Sequence, residues 1–360
     1  MIENVQIKNF KCFRSFRADG FKRINVIVGD NGAGKTAFLE AVFLALAGNV
    51  QVPLRYRTNR GLDGSVQGSA RQIEEAAWGD MFYNMNSNEA ISIILDGTGN
   101  EARSVSVSRG QRPVLLSFGS DSPSNGISTS DTVAAPIVFD WRDSHGGHHL
   151  YSASITSAGM QIPNQEEDLP DFYYFPSGTA VSSTENAARF STLSKARRER
   201  HFIEMFTREY KWIEDLSIEV LGGAAVIHAT VKGIEEKIPV TSISGAISRF
   251  MAILLTIASR PKGVVLVDEA EDGIYHTHHE GYWRALLSFC REFDCQMFLT
   301  THNEEWLNAL VAAAERRFED IALWQMVRGT EGPEMFQFTG TKLKAAAEYG
   351  ADLRGNASAE

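Results

Sequence analysis

Residues 29–36 read Gly-Asp-Asn-Gly-Ala-Gly-Lys-Thr, and few segments of this length restrict a fold as tightly. The apolar run Ile24-Asn25-Val26-Ile27-Val28 precedes it, and Phe38, Leu39, Val42, Phe43 and Leu46 follow at helical spacing. Gly29, Gly34, Lys35 and Thr36 satisfy G-x-x-x-x-G-K-[ST] between a strand and a helix. Glycines let successive backbone N–H groups turn inward on a phosphate, and the helix N-terminus adds its dipole. Asn31, Gly32 and Gly34 are expected to line that cradle. Lys35 would bridge the β and γ phosphates of a nucleotide, and Thr36 would give its hydroxyl to Mg²⁺.

Two further strand ends carry polar residues. Val264-Val265-Leu266-Val267 is a buried, parallel-type strand that delivers Asp268 and Glu269 to the edge of a sheet, where ligands bind in open α/β folds. Asp268 is expected to hold Mg²⁺ and Glu269 to accept a proton from an attacking water. Metal binding needs a charged ligand and proton transfer a free one, so two adjacent acids divide the work. Phe298-Leu299-Thr300-Thr301-His302 ends in an imidazole that could sense a γ-phosphate.

Composition narrows the class. Of 360 residues, 43% are hydrophobic and 22% charged, which permits a large core and excludes global disorder. A net charge of -10 argues against coating nucleic acid through bulk charge. Cys12, Cys290 and Cys295 make neither a disulfide framework nor a zinc signature. The start MIENVQIKNFKCF lacks the apolar core of a signal peptide, and no apolar run is long enough to cross a bilayer. The expectation is a soluble, cytoplasmic protein with no membrane partner.

Along the chain, Val5 to Phe10 alternates as a strand does, and further strands are expected between Phe16 and Val28. Arg71 to Trp78 is expected to be helical. Residues 90–165 read as hairpins turning at Gly97, Gly99 and Gly110, with a Ser/Gly/Asp/Pro-rich loop over 119–136, and are taken as a β-rich insertion. Within 189–213 an amphipathic helix places Phe202, Met205, Phe206, Tyr210 and Ile213 on one side. A hairpin follows, then the apolar helix SGAISRFMAILLTIASR, a helix over about 279–293, the strand Gln296 to Thr300 and a helix from Glu304.

The series GDNGAGKT, SISGAISR, VVLVDEAEDG and FLTTH, after the opening IKNFKCFRSF, resembles the ABC-type ATPase heads of RecF-like, SMC-like and OLD-like proteins. Within that group the chain looks most like the compact AAA-family ATPases of bacterial anti-phage systems, and the ending GTKLKAAAEYGADLRG is also similar. The resemblance implies one P-loop ABC-ATPase head over 1–360, with a mixed β-sheet core, the 90–165 insertion and a helical lobe at 184–260. It makes Ser244 and Gly245 a signature motif that caps the γ-phosphate held by an opposite subunit. The alternative for Ser-Gly before an apolar helix is a plain helix cap. ATP and Mg²⁺ are the implied ligands, and a homodimer with composite sites is the implied assembly. The implied output is a partner: an effector nuclease or toxin encoded nearby, or DNA. A RecF-like DNA-repair clamp is the competing reading.

No glutamine-loop residue is assigned, since Gln67 and Gln72 lack a supporting context. KARRERH at 195–201 is taken as a solvated helix face over a contact with a nucleic-acid backbone, and HGGHH at 145–149 as a turn over a metal site. His276, His278 and His279 are expected to pack and cap where the resemblance places an inter-subunit loop. The stretch from Asn303 to Glu360 is too short for the metal-dependent nuclease domain that OLD-type proteins carry, so ATPase activity without nuclease activity is expected.

Overall fold

The computed structural model describes residues 1–59, 70–97, 102–110, 135–143, 145–156, 159–161, 172–314 and 318–339. Gly99, Gln67, most of the 119–136 loop and the ending from 340 onward lie outside them.

The chain opens with strands β1 (Ile2–Phe10), β2 (Phe13–Asp19) and β3 (Ile24–Val28), then helices α1 (Lys35–Ala47), α2 (Val52–Asn59) and α3 (Ala70–Trp78). Strands β4 (Ile91–Gly97), β5 (Arg103–Arg109), β6 (Ile137–Arg142), β7 (His148–Thr156), β8 (Gly159–Gln161) and β9 (Phe172–Phe175) follow. Next come α4 (Ser183–Lys195), α5 (Glu199–Glu209), β10 (Ile213–Leu221), β11 (Ala224–Val231), β12 (Ile238–Pro239), α6 (Val240–Ile243) and α7 (Gly245–Ser259). Then β13 (Val264–Val267), α8 (His279–Glu292), β14 (Gln296–Thr300), α9 (Glu304–Ala314), β15 (Ile321–Arg328) and β16 (Pro333–Thr339) complete the described fold.

Among the described residues, six strands form a mostly parallel sheet in the order β16-β15-β3-β14-β13-β9. Its central strands are buried on both faces, and alternate side chains serve two cores. Val26, Val265, Val267, Met297 and Leu299 face the core built with α4, α5, α7 and α8. Ile27, Leu266, Phe298 and Trp324 face the core around α1. Asn25 is buried in β3 but satisfied, donating to the carbonyls of Lys22 (2.7 Å) and Met297 (3.2 Å).

The second sheet is antiparallel, β2-β1-β4-β5-β6-β7-β8. The strands between 91 and 161 therefore continue the sheet begun at the N-terminus, with Ile7 opposite Ile93. Helix α1 lies between the two sheets and is buried from Ala37 to Leu46, so it is enclosed rather than one-sided. Trp141 of β6 donates its indole N–H to the Leu44 carbonyl at 2.9 Å, fastening the antiparallel sheet to that helix.

Three local expectations change. KARRERH does not form a helix face: α4 ends at Lys195, Arg197 takes a left-handed φ of 58°, and α5 begins at Glu199. Arg198 lies over the Phe293 ring at 4.5 Å, while Lys195, Arg197 and Arg200 are exposed. Tyr210 and Ile213 are buried with Phe202 and Phe206 but lie beyond the end of α5. His278 precedes α8 without a side-chain cap, whereas His279 is buried and packs edge-on against Trp306.

Candidate active site

The parallel register brings remote residues to one sheet edge. Val267 pairs with Leu299 and with Phe175, and Thr300 pairs with Ile27, so the residues after β3, β9, β13 and β14 emerge side by side. This is the carboxyl edge, where open α/β sheets bind ligands.

The phosphate loop needs glycine at two points. Gly29 has φ 145°, and a Cβ there would stand 2.1 Å from the Met326 carbonyl oxygen of β15. Gly34 has φ 110°, and a Cβ there would stand 3.0–3.3 Å from Pro333, Cys12 and Met326. A side chain at either position would displace the loop. Lys35 Nζ donates to the carbonyls of Gly29 (2.6 Å) and Asp30 (3.0 Å).

Thr36 and Asp268, far apart in sequence, meet directly: the threonine hydroxyl donates to Asp268 Oδ2 at 2.9 Å. The Thr300 hydroxyl donates to Asp268 Oδ1 at 2.5 Å and accepts the Glu269 N–H at 2.9 Å. Asp268 is only 4% exposed. Burial pushes its carboxyl above the usual carboxylate range, with the Thr300 and Thr36 hydroxyls opposing. Burial also pushes the Lys35 ammonium below its ordinary value, against the pull of Asp268 and Glu269. Desolvation dominates both, which marks a pocket that holds opposite charges away from water.

Glu269 takes φ 50°, in the left-handed region, directly after the end of β13. Ser177, just past β9, donates its hydroxyl to Glu269 Oε2. His302 Nδ1 lies 4.0 Å from Glu269 Oε1 and 3.5 Å from Glu271 Oε1. A cavity of about 480 Å³ is lined by Asn31, Gly32, Gly34, Lys35, Thr36, Asp268, Glu269 and Thr300. It extends to Lys11, Cys12 and the segment carrying Asp80, Phe82, Asn84 and Met85. That volume lies within the range of small-ligand pockets. His302 sits beside it through Glu269.

The oxygen donors fit Mg²⁺. Thr36 and Asp268 supply a hydroxyl and a carboxylate at one point, and Mg²⁺ takes one or two protein oxygens together with phosphate and water. No cluster of three or more His, Cys, Asp or Glu forms an all-protein cage among the described residues.

Ser244 and Gly245 stand elsewhere. Ser244 precedes α7 without a side-chain cap bond, and a Cβ on the exposed Gly245 would meet nothing within 4 Å. Neither lines the cavity. Sequence and fold thus bring together the loop, Asp268, Glu269 and His302, and leave the Ser-Gly pair outside.

A family described as an AAA domain matches residues 4–114. An "ATP/GTP phosphatase" of Helicobacter pylori is 22% identical over 338 residues, covering 86% of this chain and 87% of that protein. The chain is an ATPase similar to those of the RecF/SMC group. A Rad50 ATPase of Methanopyrus kandleri, described as a DNA double-strand break repair protein, is 41% identical over 81 residues. That match covers 22% of this ATPase and 8% of the Rad50 chain. A structural maintenance of chromosomes protein 6 of Takifugu rubripes is 24% identical over 241 residues, 66% of this ATPase and 18% of its own length. A solved Smc head bound to the C-winged helix domain of ScpA aligns with TM-score 0.48 at 13% identity, over 94% of this ATPase and 98% of that chain.

In this ATPase the sequence reading missed Ser177, Thr300 and Glu271. Thr300 carried a usable signal, a hydroxyl ending the apolar run Met297-Phe298-Leu299. Ser177 carried none, because its place beside Glu269 depends on β9 pairing with β13. The loop that reaches Glu269 from β9 is Pro176–Ser177, and Gln72 lies on α3. Arg249 of α7 is buried and donates to the carbonyls of Pro176 (2.9 Å) and Asp268 (2.8 Å). It ties the helix behind Ser244 to the strand end that carries the acids. No helix of the described residues is long and apolar enough to cross a membrane.

Proposed function

We propose that this ATPase binds ATP with Mg²⁺, closes head to tail on a second copy of itself in the cytoplasm, and reopens on hydrolysis. One observation carries the reading: the phosphate loop, Asp268 and Glu269 share one cavity, while the half-buried Ser244 and the exposed Gly245 do not line it. A helix N-terminus with a hydroxyl and a bare backbone favours an anion. On the family resemblance, that anion is the triphosphate held by the second copy.

Asn31, Gly32, Gly34 and Lys35 hold the phosphates, and Thr36 and Asp268 hold the cation, which neutralises phosphate charge when bound. Glu269 takes the proton of the water that attacks the γ-phosphorus; the bond to the β-phosphate oxygen breaks and ADP leaves with the electron pair. Ser177 keeps the Glu269 carboxylate in place, and His302, beside that carboxylate, senses the γ-phosphate during turnover. The whole chain acts as one ABC-type domain, with 90–165 as its β-rich part and 184–260 as the lobe bearing the signature.

The output of such a clamp is a partner. On the family resemblance, that partner is an effector nuclease or toxin encoded nearby, within an anti-phage defence system. The Rad50 likeness favours a second reading, a RecF-like DNA-repair clamp. It predicts ATP-dependent DNA binding that weakens steeply with salt. The net charge of -10 weighs toward the protein partner.

The test is Glu269→Gln. It should bind ATP normally, turn over about a hundredfold or more slowly, and accumulate an ATP-bound dimer by light scattering. Adding Ser244→Arg should return that protein to monomer. A Glu269→Gln protein that stays monomeric at saturating ATP refutes the clamp.

A further inference from the structure

Glu271 is the acid that the phosphate site does not use. It follows Asp268 and Glu269 on the turn after β13, yet it is only 7% exposed. Its Oε1 accepts the backbone N–H of His302 at 3.1 Å and lies 3.5 Å from His302 Nδ1. Its Oε2 is buried with no hydrogen-bond partner. A buried carboxylate is costly unless it is paired. Among the described residues, its side chain pairs with His302 alone.

The surrounding backbone keeps this arrangement rigid. The Ala270 N–H donates to the Thr300 carbonyl at 3.1 Å, joining the turn to the end of β14. The Ile274 N–H donates to the Glu271 carbonyl at 3.0 Å and the Asp272 N–H to that of Glu269 at 3.1 Å, closing the turn on itself. On the other side, the Asn303 side chain accepts the Trp306 N–H at 3.0 Å and so caps α9, with His302 directly before that cap. The left-handed Glu269 lets both acids reach one imidazole from the same turn. With Nδ1 directed at carboxylates, the ring can offer only Nε2 to a ligand.

We infer that Glu271 is a positioning residue for hydrolysis: it fixes the main chain and the ring of His302, so that one defined nitrogen faces the reacting phosphate. The inference rests on the proposed part of His302 in turnover. It assigns to the second acid of the turn a task separate from proton transfer by Glu269 and metal binding by Asp268. A purely structural Glu271 would affect stability and leave no specific link to His302.

The experiment is a double-mutant cycle on the full chain, reading kcat and KM for ATP together with melting temperature. His302→Ala should lower kcat. Glu271→Ala should lower kcat about tenfold with KM changed less than about twofold, since a misplaced group costs rate rather than binding. In the His302→Ala background, Glu271→Ala should have no further effect on kcat. Glu271→Gln keeps the shape and one acceptor oxygen for the His302 N–H. Its smaller loss, about threefold, should likewise vanish without His302, and it is the variant to read where the alanine protein does not fold. Losses that multiply with His302→Ala overturn the inference while leaving the His302 reading intact. Unchanged kcat in His302→Ala alone removes both.

Discussion

Arg249 offers the most direct measure of how α7 is joined to the acidic strand end. Its guanidinium is buried and donates two bonds, to the Pro176 and Asp268 carbonyls at 2.9 and 2.8 Å, while its Nε has no partner. Arg249→Ala removes both donors and leaves two buried acceptors. Each bond from a charged donor contributes about 1.5–3 kcal/mol. Relief of a partly unsatisfied buried charge offsets some of this, so a net loss of about 3 kcal/mol is expected. Unfolding entropy of about 2.1 cal/mol/K per residue, over 360 residues, converts that to a melting temperature about 4 °C lower. Lysine keeps the charge but as a point donor reaches one carbonyl, so Arg249→Lys should lose about half as much. Calorimetry of the nucleotide-free protein reads both values, and ATPase assays should show kcat falling because the Asp268 main chain is no longer held. An alanine variant that melts within about 1 °C of the parent, with full turnover, refutes the clamp on Asp268.

Two further substitutions probe the charged pocket. Lys35→Ala should weaken ATP binding about a hundredfold by titration calorimetry, through loss of charge-assisted bonds to phosphate; retained affinity would remove the loop from its role. Asp268→Asn tests the desolvated carboxyl. Because burial raises its pKa, the native state holds that proton more tightly than the unfolded chain. Stability of the nucleotide-free protein therefore falls as pH rises from about 4, the unfolded carboxylate value, through the raised native one. The asparagine variant should lack that part of the decline, seen as a flatter plot of melting temperature against pH, and parallel plots would contradict it.

Legibility followed the range over which each interaction acts. Helix α1 was placed within one residue of its end, because strand, loop and helix are consecutive and period and glycine pattern agree. Strand β13 was legible as an apolar run ending in acids. Strand β15 is not legible locally, since Ile321 to Val327, apolar except for Gln325, suits helix or strand by length, and only its pairing with β3 decides. The break at Arg197 was hidden because the charges on either side suit a solvated helix.

What the amino-acid order determined by itself is the chemistry available at each strand end: glycines where φ is positive, a lysine and hydroxyl after them, two acids after one apolar strand, an imidazole after another. Those depend on side-chain identity and on contacts a few residues apart. Tertiary structure decided which of these groups share a cavity. It set Thr36 against Asp268, placed Ser177 on Glu269 and Glu271 on His302, and left Ser244 and Gly245 outside. Strand pairing makes those choices: parallel register among β3, β14, β13 and β9 is set by burial on both faces, and no local pattern in the chain encodes the neighbour.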